Sequence, residues 1–175
     1  MVGRRVATAV LCWLMLGHVF ARSPTEVPIG GFLRNATLQG LNGPARSLSD
    51  YRGRPLIINV WASWCGPCVE EMASLERLAW QDDRAPFSMI GISTDDYPEP
   101  AQALLKRSNA TLRHFIDHDL QMESMLGASS IPLTVLVDAQ GRVVDKIYGA
   151  RQWDSPDSLQ LIEKAFRLHR VAGAH

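Results

Sequence analysis

The feature that most constrains this chain is a nearly continuous apolar run, Leu56-Ile57-Ile58-Asn59-Val60-Trp61, leading directly into Trp64-Cys65-Gly66-Pro67-Cys68. Short β-branched runs of this kind form strands buried on both faces of a parallel or mixed sheet. After Pro67 the apolar positions Val69, Met72, Leu75, Leu78 and Ala79 recur at helical spacing, with Glu70, Glu71, Glu76 and Arg77 between them. The pattern predicts a strand, a tight turn and a helix that starts at the cysteine pair.

Elsewhere strand-like and helical stretches alternate. Phe32 to Leu38 reads as a short strand, Gly40 to Pro44 as its turn and Ser47 to Gly53 as a polar turn. Phe87 to Ile92 is a second buried-type strand, Pro100 to Arg107 a helix, His114 to Ile116 a short strand and Leu120 to Leu126 a helix. Leu133 to Val137 and Val143 to Tyr148 flank the turn residues Asp138-Ala139-Gln140-Gly141, which makes them an antiparallel hairpin. Ser155 followed by Pro156 opens a last helix carrying Leu159, Ile162, Ala165 and Phe166. A βαβ half followed by a ββα half implies an α/β fold with a mixed central sheet flanked by helices.

The chain has 175 residues, 46% of them hydrophobic and 21% charged, which suits one compact domain and excludes collagen-like, coiled-coil and wholly disordered proteins. Basic and acidic residues number 18 each, so no overall field exists to recruit nucleic acid. Arg4 and Arg5 precede an apolar run from Val6 to Phe20, followed by Ala21. At 1.5 Å per residue the run spans about 22 Å, short of the ~30 Å hydrocarbon core of a bilayer. Residues 1–21 therefore read as a signal peptide, with an uncleaved N-terminal membrane anchor as the alternative. Residues 22–31 read as a flexible lead-in rich in Pro and Gly, 32–168 as the folded domain and 169–175 as a tail.

Loss of residues 1–21 removes Arg4, Arg5 and Cys12, leaving 16 basic against 18 acidic residues and two cysteines. An exported protein lives where disulfides persist, so Cys65 and Cys68 pose a redox question first. At a helix N-terminus, unpaired backbone N–H groups and the helix dipole favour a thiolate on Cys65. Moving a thiol pKa from ~8.5 toward ~7 multiplies the reactive fraction at neutral pH severalfold. Cys65 is the candidate nucleophile, and Cys68, one turn further along, is placed to resolve a mixed disulfide. Gly66 permits the tight entry, and Pro67 presets a helical φ in the first turn while giving up an N–H that has no intrahelical partner. A purely structural bridge and half of a zinc site remain as alternatives. Zinc needs two further ligands, for which the mature chain offers only His114, His118, His169 and His175. Ile131-Pro132 stands immediately before a strand, where proline is tolerated and a cis bond is plausible. A cis bond there would turn the preceding backbone toward the cysteines and expose groups able to pair with an extended peptide.

These motifs together resemble the thioredoxin fold over roughly Phe32 to Leu168. More closely, Asn59-Val60-Trp61-Ala62-Ser63-Trp64 before the pair, Val69-Glu70-Glu71-Met72 after it and Ser47-Leu48-Ser49-Asp50-Tyr51-Arg52-Gly53 upstream resemble the exported TlpA/ResA-type thiol:disulfide oxidoreductases. The resemblance implies a thioredoxin-like three-layer α/β/α sandwich with a redox-active Cys65–Cys68 disulfide and no other cofactor. It also implies substrate contacts at Trp64, Gly66, Pro67, Ile131 and Pro132, and a supporting Asn59 where cytosolic thioredoxins carry a buried Asp. Glu71 inherits a role in proton handling by position, although its residue type alone would equally suit a solvated helix surface like that of Glu70. Two departures stand out: Ala73 where members often have Pro, and Ser130-Ile131-Pro132-Leu133-Thr134 where members dedicated to cytochrome c maturation tend to have Gly-Ala-Pro-Glu-Thr.

The expectation is a periplasmic enzyme, a monomer, that reduces disulfides in cysteine-containing secreted client proteins. Because the periplasm is kept oxidising, such a reductant needs a membrane-embedded thiol electron donor. Disulfide oxidase or isomerase activity is the near alternative, and a Cu(I) metallochaperone using the same two thiolates is the distant one.

Overall fold

The computed structural model describes residues 25–80 and 86–168. The expected signal segment, 1–21, and the tail, 169–175, lie outside these residues. Along the chain run β1 (Thr37–Gly40), β2 (Arg46–Ser47), β3 (Leu56–Trp61), α1 (Gly66–Trp80), β4 (Ser88–Ser93), α2 (Pro98–Arg107), β5 (Arg113–Ile116), α3 (Gln121–Leu126), β6 (Leu133–Val137), β7 (Val143–Tyr148) and α4 (Pro156–Phe166). The strands form one mixed sheet in the order β2-β1-β5-β4-β3-β6-β7.

β3 is central because its apolar run is buried along its whole length. It runs parallel to β4 on one side and antiparallel to β6 on the other. Its side chains alternate between faces, as the two-residue period of a strand requires. Leu56, Ile58 and Val60 join a cluster with Met122, Met125 and Leu126 of α3. Trp61 packs with Met72 of α1 and Ala101, Leu104 and Leu105 of α2, while Ile57 packs with Leu75 and Leu78 of α1 and Ile162 of α4. The fold is therefore the expected three-layer α/β/α sandwich of thioredoxin type. Among the described residues no helix is long and apolar enough to cross a membrane.

The N-terminal part differs in detail from the sequence expectation. The strand begins only at Thr37, whereas Phe32 forms one isolated bridge to Arg142 and lies exposed with the Arg142 guanidinium 4.7 Å from its ring. Alternating burial fails there because Leu33 and Ala36, three residues apart, are the ones that enter the core. Val27 in the lead-in is also buried, and its N–H donates to the Met125 carbonyl at 2.9 Å. The region read as a polar turn starts on the last residue of β2 and holds a single 3-10 turn over Leu48–Tyr51. The Ser47 N–H donates to the Asp50 carboxylate at 3.1 Å, which satisfies a donor at the start of that turn, and Leu48 is buried beneath it.

Candidate active site

α1 begins at Gly66, so Cys65 stands immediately before its first residue and Cys68 lies in its first turn. The two sulfurs form a disulfide with the Cα atoms 5.3 Å apart. The Cys68 N–H donates to Cys65 Sγ at 3.3 Å, so an otherwise orphaned helix-end donor is aimed at the first sulfur. Cys65 is 6% exposed and Cys68 1%, which leaves the first cysteine the more accessible. The preceding loop is tied down by Asp95, a buried carboxylate that accepts from the Ser63 N–H at 2.9 Å, the Ser63 hydroxyl at 2.6 Å and the Ser93 hydroxyl at 2.6 Å.

The expected substrate-contact residues stand around this end of α1. Trp64 is 71% exposed, a large apolar surface that the fold does not bury. Gly66 and Pro67 are exposed on the first turn, Ile131 is half-buried and packs against the cluster containing both cysteines, and the Ile131–Pro132 peptide is cis.

Glu71 lies three residues after Cys68 on α1, a spacing that puts both on one helix face. It is buried, unlike exposed Glu70. Asn59 of β3 donates from Nδ2 to Glu71 Oε1 at 2.7 Å and to Thr134 Oγ1 at 3.1 Å. The other oxygen, Oε2, accepts from the Trp153 indole N–H and the Arg151 backbone N–H, each at 3.0 Å. Burial raises the Glu71 pKa above its ordinary value, against the pull of these three donors. A carboxyl so placed holds a proton more tightly than a surface glutamate does.

Trp153, Arg151, Ser74 and Asp95 were not among the residues the sequence singled out. Trp153 carries a retrospective signal: it is the one large apolar side chain in the polar stretch between Gly149 and Ser158. Such a residue in a loop anchors that loop to the core, and here it is fully buried.

A family model described as Redoxin matches residues 29–162 of the chain. This chain belongs to the Redoxin family. Among relatives of this Redoxin-family protein, the thiol:disulfide interchange protein DsbE of Pseudomonas aeruginosa is 34% identical over 132 residues, covering 72% of this chain and 71% of that protein. The thiol-disulfide oxidoreductase ResA of Geobacillus thermodenitrificans is 27% identical over 149 residues, covering 83% of this chain and 86% of that protein. A crystal structure of a candidate thiol:disulfide interchange protein DsbE from Chlorobium tepidum superposes with a TM-score of 0.73 at 24% identity, covering 79% of this chain and 98% of the other, and so supports the fold. With the Cys65–Cys68 disulfide at the helix N-terminus, these relationships make this Redoxin-family protein a TlpA/ResA-type thiol:disulfide oxidoreductase.

Proposed function

We propose that this protein is an exported reductase, working in the periplasm on disulfides of secreted client proteins. The observation that carries the reading is the helix-capping disulfide with a buried carboxyl one turn beyond it. In the reduced enzyme the Cys65 thiolate attacks one sulfur of the client disulfide. That bond breaks, a client thiolate leaves and takes up a proton, and a mixed disulfide forms. Cys68 then gives its proton to Glu71 and attacks Cys65 Sγ, releasing the second client thiolate. Two electrons pass from enzyme to client and the Cys65–Cys68 disulfide closes.

Trp64, Gly66, Pro67 and Ile131 offer the surface on which an extended client segment lies, beside Pro132. Asn59 supports Glu71 from the central strand. A membrane-embedded dithiol returns the two electrons, since the oxidising compartment supplies none. The enzyme works as a monomer, with the disulfide as its redox group.

Cys68→Ala tests the exchange: it should accumulate mixed disulfides through Cys65 that non-reducing gels resolve and dithiothreitol releases. Their absence from cells expressing the variant would overturn the reading. Direction is tested by equilibration with glutathione buffers. A reductase lies toward the roughly −270 mV of thioredoxin, and a potential above about −180 mV would reject it.

A further inference from the structure

The Glu71 carboxylate is held by neutral donors from two separate parts of the chain, and the two on Oε2 come from one loop. That loop, between β7 and α4, is locked onto α1. The Trp153 backbone N–H donates to Ser74 Oγ at 3.0 Å, and the Ser74 hydroxyl donates to the Glu71 carbonyl at 2.7 Å. Trp153 is fully buried among Leu75, Leu78 and Ile162, where an indole N–H has to find a partner inside the protein. Its partner is the carboxylate. Apolar filling alone would need no nitrogen at that position.

We propose that Trp153 is a positioning residue of the reaction: its indole N–H fixes the Glu71 carboxylate and tunes how readily Glu71 takes the proton from Cys68. The inference rests on the reading of Glu71 as the proton acceptor. Of the two donors to Oε2, the Arg151 group is backbone and survives any substitution except proline, so Trp153 is the adjustable side chain. Glu70 is exposed, Arg77 pairs with Asp154 at 2.6 Å, Asp157 is exposed on α4, and Arg151 reaches the carboxylate through its backbone. A donor to the charged form favours that form, so its removal makes Glu71 hold its proton more tightly.

The test compares the reduced wild-type enzyme with Trp153→Phe and with a variant carrying benzothienylalanine at position 153, in which sulfur replaces the N–H at nearly unchanged shape. The second variant serves if the first fails to fold. The Glu71 side-chain carboxyl is titrated by carbon-13 NMR, assigned with Glu71→Gln, and the pH dependence of disulfide exchange is measured alongside. Loss of a hydrogen bond to a charged group should raise the proton affinity of Glu71 about tenfold. The midpoint of the pH–rate profile should rise with it. An unmoved carboxyl titration in a folded variant overturns the positioning role. Glu71→Gln separates the two claims: a pH–rate midpoint that persists in it removes Glu71 as proton acceptor, whatever the Trp153 variants do to the carboxyl.

Discussion

At the scale of single residues, the two cysteines differ in ways that bear on their ionisation. Cys65 Sγ receives the Cys68 N–H at 3.3 Å at the open end of α1, so negative charge on that sulfur meets a backbone donor and the positive end of the helix dipole. Cys68 is 1% exposed, where desolvation opposes ionisation. In the reduced protein, alkylation of Cys65 by iodoacetamide, followed in a Cys68→Ser background, should therefore show a pH midpoint below the ~8.5 of a free thiol. A midpoint at or above that value would mean that the helix end lends the sulfur nothing. The cysteine pair, the Gly66 and Pro67 between its members and a proline at the start of β6 were legible in the sequence, because each depends on local chemistry: a helix start, a tight turn, a strand start. The cis form of the Ile131–Pro132 bond was left open there and is given by the structure. The surroundings of Glu71 were not. Its burial and its contacts depend on residues 12 positions upstream and 80 or more downstream, and on which face of α1 the closing loop covers.

At the scale of elements, periodicity located the central strand, the hairpin and the helices to within two residues, since hydrophobic pattern and turn chemistry agreed there. It failed between Phe32 and Gly53. There Leu33, Ala36 and Leu48 enter the same cluster as Met122 and Met125 of α3, long-range contacts that impose no local periodicity. The docking of α1 on the loop before α4 is the contact between elements on which the site depends, and Ser74 makes it. Its hydroxyl accepts from the Trp153 N–H while donating to the Glu71 carbonyl, and it lies 3.3 Å from the Arg151 carbonyl. Ser74→Ala leaves the Trp153 N–H buried without its acceptor, which costs about 1–3 kcal/mol. Urea denaturation should show that loss as a lowered midpoint at unchanged slope. A midpoint equal to the wild type would show that the loop is held by Trp153 packing alone.

Across the whole molecule, two buried titratable groups on opposite sides of β4 pull stability in opposite directions with pH. Glu71 has its folded pKa raised above 4.5, chiefly by burial, so its contribution is fully present below 4.5 and is lost as pH rises through the folded value. His114 on β5 is 2% exposed, edge-on to Trp61 at 5.3 Å and opposite Gly91, where a Cβ would overlap the imidazole. Its pKa is lowered from 6.5, first by burial and only partly restored by Glu76 at 3.9 Å, so its contribution is full above 6.5 and is lost as pH falls through the folded value. Glu76 itself acts outside this range. Burial would raise it, but its neighbours His114, Thr111 and Leu112 hold it down at about 2, so it matters only as pH falls below 4.5. As pH rises from 4.5 the unfolded chain releases the Glu71 proton before the folded protein does, and as pH falls from 6.5 it takes up the His114 proton before the folded protein does, so between 4.5 and 6.5 the two slopes oppose each other. Removing either group should unmask the other. Relative to wild type, Glu71→Gln should gain stability as pH rises through this window and His114→Gln should lose it, each by at most about 1.4 kcal/mol per pH unit. Urea unfolding at half-unit steps reads both slopes against the same background, and slopes of the same sign in the two variants would refute the assignment of buried, oppositely shifted groups.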